Sequence, residues 1–359
     1  MTDVIVTHDE SVIRPDGSVV HFSLGRFRQD IVMGDCCLLC GASPGSKAFN
    51  DEHVIPDWLL REFDLHDKSV TLPNGSSYRY SRYRVPCCVA CNSLLGEKVE
   101  TPISEIIKGG YDRVVQLLQT EGPWRLFAWM NLIFLKTHLK DRSLPFNLDA
   151  RKGTEKIADY YDWATMHHLH CVARAYRTGA AIDHRTMGSV FVLRAKQGAH
   201  LGQFDYGDLF TAKIAFIQLR EIALFCVLDD ACGAFTLLKD GLMRKISGPL
   251  SPIQLREIMA RIAYANSLVT PRPKFHTNIL GGVPRISVTL PNEVVPAPGD
   301  PQRFGALMHF LCAPLLGSYV GENKDFVLEN LRQGRWSFVF DATGNFVADS
   351  MGSEFAFHL

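Results

Sequence analysis

An excess of charge of either sign is missing from this chain. Its 38 Lys and Arg residues balance 38 Asp and Glu, for a formal net charge of zero. No global basic field draws in a polyanion, so any nucleic acid must be met by a local patch. A long hydrophobic run is also missing. The most apolar stretch, residues 124–135, is about a dozen residues long and is interrupted by Arg125 and Asn131, against the ~20 needed to span a bilayer. It reads as a buried core helix, and no membrane partner is expected. The first residues lack the basic start and apolar core of a signal peptide, so the expected compartment is cytoplasmic. There is no glycine-rich phosphate loop, no internal repeat and no low-complexity tract.

What the chain does have is an ordinary globular composition over 359 residues, 47% hydrophobic and 21% charged. That length suits two or three domains, because single cores rarely exceed ~250 residues. The expected fold class is α+β, without the rhythm of a parallel sheet. Residues 1–30 read as β structure, with Pro15-Asp16-Gly17 turning between two apolar runs. Residues 31–100 form a compact unit and 101–190 a helical domain. In the latter, Thr101-Pro102 and Pro123 start helices, the second ending in Lys136, His138 and Lys140. Residues 191–359 form a mixed α+β domain of unknown role. Within it, residues 214–228 read as strand, Ser251-Pro252 opens a helix through Tyr264, and 285–290 alternate as a strand. Trp336 to Phe340 and Asn345 to Ala348 read as a closing hairpin.

Ten cysteines in a chain this long are not a disulfide framework. Six fall into two tight groups, Cys36, Cys37, Cys40 and Cys87, Cys88, Cys91. The pairs Cys37-x-x-Cys40 and Cys88-x-x-Cys91 have the spacing at which a tight turn aims two thiolates at one ion, and two such turns make the tetrahedral sulfur site of structural Zn²⁺. Cys36 and Cys87 lack the two-residue gap and read as packing residues.

Between the pairs lies Asp51-Glu52-His53-Val54-Ile55-Pro56, and Asn92 follows the second pair at once. Over roughly residues 34–100 this order resembles the HNH (ββα-metal) endonuclease family: an acid–His–hydrophobic–hydrophobic–Pro motif, then a cysteine pair closed by Asn or His. The resemblance implies an HNH module built as an irregular β-ribbon on a short helix, with zinc clamping the frame. It further implies phosphodiester hydrolysis with His53 as general base, and Glu52 and Asn92 holding one catalytic Mg²⁺ or Mn²⁺. The residue types suit that chemistry. A neutral imidazole can take a proton from water near pH 7, and hard oxygen donors suit a hard cation. The family's middle Asn, which orients the histidine, is unmatched. The single Asn between His53 and Cys88 is Asn74, in the turn signal Pro73-Asn74-Gly75.

The run Tyr78-Arg79-Tyr80-Ser81-Arg82-Tyr83-Arg84 interleaves aromatic and basic residues. As a strand it would present Tyr78, Tyr80, Arg82 and Arg84 together, and Arg79, Arg82, Arg84 and Tyr80 are the candidate contacts to phosphates and bases. The alternative is an exposed hairpin with solvated arginines. His167-His168-x-His170-Cys171 could suggest another metal, but with no partner motif in the sequence it is read first as histidines on different helix faces. The leading expectation is a DNA endonuclease or nickase, by analogy in bacterial restriction or anti-phage defence, with residues 101–359 controlling target, protein partner or activation. The competing expectations are a zinc-stabilised module that binds nucleic acid or a partner without cutting, and an RNA-cutting toxin.

Overall fold

The computed structural model describes residues 3–291, 296–318, 321–348 and 352–354. Its contacts divide the chain into two units that interleave along the sequence. Unit 1 comprises residues 1–108, 124–186 and 275–288, and unit 2 comprises 109–123, 187–274 and 289–359. The architecture is α+β, with small sheets rather than one large one. Among the described residues, no helix is long and apolar enough to cross a membrane.

Unit 1 opens with a three-stranded antiparallel sheet, β1 (Ile5–Val6), β2 (Val12–Ile13) and β3 (Val19–His21), turned at Gly17. The all-β expectation for residues 1–30 stops there. Ser23 accepts from the Arg26 amide and caps a helical stretch from Leu24 to Met33, because an N-cap hydroxyl satisfies an otherwise orphaned donor. Next come two short strands, β4 (Glu52–His53) and β5 (Arg84–Val85), paired antiparallel. The chain between them holds helix α1 (Asp57–Glu62) and a small hairpin of residues 69–71 with 77–79. After β5 the chain enters α2 (Val89–Leu95), which continues through a π-helical turn at Gly96–Glu100 into α3 (Thr101–Lys108).

The apolar stretch forms α4 (Trp124–Asp141), buried nearly all round as its composition requires. It packs on α5 (Trp163–Ala173), and Asn131 Nδ2, inside that interface, donates to the Leu169 carbonyl at 2.9 Å. Those two helices and the α2–α3 rod frame the core on which β4 and β5 lie.

Unit 2 contains a four-stranded antiparallel sheet in the order 204–209, 214–219, 222–227, 190–194. The run at 214–228 is thus two fully buried strands, not one. Arg220, at φ +52°, makes the reversal. The helix Pro252–Leu268 starts at a capping box of Ser251 and Gln254. Its Glu257 is buried and accepts from the Ser337 hydroxyl and the Phe338 amide. The expected terminal hairpin is reduced to one bridge between Phe340 and Phe346, while Trp336–Ser337 pairs with Ser353–Glu354.

Candidate metal centre and the residues around His53

Two backbone turns bring the cysteine pairs together. In the first, the Gly41 amide donates to the Cys37 carbonyl at 2.8 Å. Gly41 sits at φ +71° against the ring of Phe22, where an added Cβ would lie 2.6 Å from ring carbon, so no other residue fits. In the second, Cys88 is the N-cap of α2 and the Asn92 amide donates to its carbonyl at 3.0 Å. Bonds from Leu38 to Pro86 and from Val89 to Ala48 hold the two turns against one another.

The sulfurs of Cys37, Cys40, Cys88 and Cys91 lie within 4.8 Å of one another, and Cys40 and Cys88 are 3.7 Å apart. Tetrahedral zinc with bonds of ~2.3 Å requires sulfurs about 3.8 Å apart, so the cluster fits one ion. Cys87, buried and 3.9 Å from Cys37, stands beside the group, and Cys36 is partly exposed. Hydrogen bonding among Cys37, Cys40, Cys87 and Cys91 lowers the Cys37 thiol, and hydrogen bonding with Cys37, followed by burial, raises its sulfur neighbours. A divalent ion bound to the four sulfurs would hold them as thiolates.

A buried guanidinium points the same way. Arg174, 1% exposed, reaches the carbonyls of Leu39 and Val19 at 2.6 Å each, and lies over the Phe22 ring. Burial lowers its pKa to about 10, and the nearby groups that would oppose this when ionised include the thiols of Cys171, Cys40 and Cys91. An unpaired interior cation is costly, whereas a four-thiolate zinc site carries net negative charge that would balance it.

Next to the cluster, β4 and β5 set the side chains by their alternation. His53 faces Arg84 across the pair and Glu52 faces Val85, so His53 and Glu52 point to opposite sides. His53 lies on the outer side. Arg84 Nε donates to His53 Nε2 at 3.0 Å, and Asp57 Oδ1 is 3.9 Å from Nδ1. Burial, then the Arg84 charge, lowers the His53 pKa, so the imidazole is neutral near pH 7. With Nε2 accepting, its own proton sits on Nδ1, towards Asp57.

Glu52 turns inward. Lys136 Nζ, 1% exposed, donates to Glu52 Oε1 at 2.7 Å and lies 3.7 Å from Glu100. Burial depresses an ammonium, but here the two carboxylates outweigh it and raise Lys136. Burial and the like charge of Glu52 raise Glu100 to about 8. The three groups thus form one buried network in which Glu52 and Glu100 share one cation and, near neutral pH, one carboxyl proton.

Asn92 is brought to the entry of β4. Its Nδ2 donates to Asn50 Oδ1 at 3.1 Å and to the Asp51 carbonyl at 3.0 Å, which leaves its Oδ1 for another partner. Asn92 and the 50–53 segment therefore meet, while Glu52 is occupied by Lys136. As placed, these residues do not offer an open pair of oxygen donors to one hard cation. Asn74 is held by partners other than His53. Its Nδ2 donates to the Pro145 carbonyl, and its Oδ1 accepts from Ser76.

The basic-aromatic run is not one strand, because a 3₁₀ turn at Tyr80–Arg82 breaks it. Tyr83 is buried and donates to Asp141 at 2.6 Å, Arg79 approaches Asp67 at 3.6 Å, and Arg82 is exposed. The histidines of α5 do face different ways. His167 bonds to the Phe22 carbonyl, His170 to the Leu38 carbonyl, and His168 stacks on Phe275. Glu100, Arg174 and His21 were not singled out by sequence, and Lys136, read there as a cation at a helix C-terminus, instead lies buried more than a turn before the end of α4 and pairs with Glu52. A lysine within a solidly apolar helix is the one local signal that could have marked Lys136. Comparison with family models, with curated proteins and with solved structures finds no match to this chain.

Proposed function

We propose that residues 31–100 form an HNH-type nuclease module that hydrolyses phosphodiester bonds in DNA, with a structural zinc in the four-cysteine cluster. The observation that carries this reading is the order of parts. An antiparallel pair carrying a neutral, outward histidine is followed by a helix whose first turn supplies two of the clustered sulfurs, and whose Asn92 is tied back to the strand entry.

His53 acts as general base and takes a proton from the attacking water at Nε2. That lone pair is covered by Arg84 in the free protein. A phosphate oxygen competes for the Arg84 guanidinium through charge-assisted bonds and so uncovers Nε2 as substrate arrives. Arg82 and Arg79 extend the cationic edge along the same chain, with Tyr80 between them. Dependence on Mg²⁺ or Mn²⁺, with Glu52 and Asn92 as ligands, belongs to the same proposal and requires Glu52 to leave Lys136. The resemblance to HNH proteins adds restriction or anti-phage defence as the setting, with unit 2 as the element that meets a partner or sets the target.

The test is cleavage of supercoiled plasmid, single-stranded DNA and RNA with Mg²⁺, Mn²⁺ or EDTA, comparing wild type with His53→Ala. Cleavage lost with His53→Ala supports the assignment, and equal cleavage by both removes His53 from the chemistry. Cutting confined to RNA would move the proposal to a ribonuclease. The Lys136–Glu52 pair favours a second reading, a zinc-stabilised module that binds nucleic acid without cutting. Binding with no cleavage in any metal would select it.

A further inference from the structure

We propose that His21, His167 and Cys171 form a second metal site, for a soft or borderline ion such as Zn²⁺ or Cu⁺. The donors come from two elements: His21 ends β3, while His167 and Cys171 stand one turn apart on the same face of α5. Cys171 Sγ lies 3.8 Å from His21 Nδ1 and 3.9 Å from His167 Nε2, and all three donor atoms fall within 4.8 Å of one another. With bonds of ~2.3 Å to sulfur and ~2.05 Å to nitrogen, one ion places S and N about 3.6 Å apart in tetrahedral geometry and about 3.8 Å apart in trigonal geometry. The two sulfur–nitrogen distances match these spacings.

The donor states suit the chemistry. Burial, with the neighbouring His167 and Arg174 charges, lowers His21 to about 4, and burial also lowers His167, so both rings are neutral ligands. Burial raises the Cys171 thiol, so ligation releases its proton to solvent as the sulfur–metal bond forms. His167 Nε2 now donates to the Phe22 carbonyl at 2.8 Å. On ligation its proton moves to Nδ1 and the metal replaces that hydrogen bond. A site of two imidazoles and one thiolate selects soft or borderline ions rather than Mg²⁺ or Ca²⁺. Arg174 borders the site, because its guanidinium donates to the Val19 and Val20 carbonyls of the strand that ends in His21. With one thiolate, Cu⁺ makes a neutral centre beside that guanidinium and Zn²⁺ leaves a net positive charge, which sets the two ions apart.

The test loads the reduced full-length chain with Zn²⁺ in one arm and Cu⁺ in the other, desalts it and counts bound metal. Wild type is expected to retain one ion more than His21→Ala or Cys171→Ser in at least one arm, and Cys88→Ser is expected to keep that additional ion. Circular dichroism checks that each variant is folded. His21 is only half-buried at a strand end, so His21→Ala decides the matter if Cys171→Ser does not fold. Equal metal counts for wild type and a folded His21→Ala in both arms would overturn the proposal, whatever the four-cysteine cluster does.

Discussion

Replacing Lys136 by Met is the sharpest test of how unit 1 is held together. The ammonium is 1% exposed, donates to Glu52 at 2.7 Å and lies 3.7 Å from Glu100. Methionine keeps most of the volume, so the change removes charge more than packing. Deleting one partner of a buried ion pair typically costs about 3–5 kcal/mol, because the remaining charge is left uncompensated. Losing Lys136 strands one carboxylate and deprives the second of its cation, which places the expected loss in that range. Urea unfolding followed by tryptophan fluorescence reads it, since Trp58, Trp124, Trp129 and Trp163 all lie in unit 1. The pH dependence has a definite sign. A carboxylate whose folded pKa is raised contributes stability below its unfolded value near 4.5, and that contribution is lost as pH rises towards the folded value, about 8 for Glu100. Lys136 opposes the rise of Glu100, so without it that carboxylate is harder to form, and the gap from wild type should be small at pH 5 and widen towards pH 8. Adding Glu52→Gln and Glu100→Gln to Lys136→Met should recover most of the loss, because a neutral set strands no charge. A loss below about 1 kcal/mol, the scale of an exposed pair, or no recovery in the triple variant, would refute the network.

Three further outcomes are expected. Cleavage by wild type should fall on the acid side only below the ordinary histidine value, because burial and Arg84 hold the His53 pKa down. Arg84→Ala should move that limb to higher pH, and an unmoved limb in a pH–rate profile would separate Arg84 from the base. Metal analysis should find one zinc fewer in Cys88→Ser or Cys91→Ser than in the wild-type chain, together with a lower melting temperature. An unchanged zinc count in both variants would exclude the four-sulfur assignment. Arg174→Met should cost about 2–4 kcal/mol, because it orphans the buried carbonyls of Leu39 and Val19, and should weaken zinc retention. A melting curve unchanged from wild type would show that the guanidinium is not needed there.

Much of this was legible from local pattern. The two cysteine spacings, the proline and serine helix starts and the apolar stretch at 124–135 are short-range signals, and the cysteine cluster and helices stand where they point. The side of β4 on which Glu52 falls was not legible, because strand alternation says only that neighbours diverge. What buries Glu52 is Lys136, 84 residues away. The Tyr78–Arg84 run likewise suggested one continuous strand, yet the burial of Tyr83 against Asp141 overrides it and leaves a 3₁₀ turn. His21 became relevant to Cys171 only through a contact spanning 150 positions, which no spacing rule reaches.

The π-helical turn at Gly96–Glu100 has a consequence for how this module tolerates change. It joins α2, with Cys91 and Asn92, to α3 without a break, so sulfur ligand, amide and Glu100 ride on one rod. Each helical residue advances the azimuth by about 100°, and a π turn carries roughly one residue more than an α turn. Trimming a single residue there would convert the π turn into an α turn that still closes one circle, so Cys91 and Glu100 would keep nearly the same azimuth about the rod. The turn can thus absorb a one-residue change in length that either flanking α segment would convert into a rotation of about 100°.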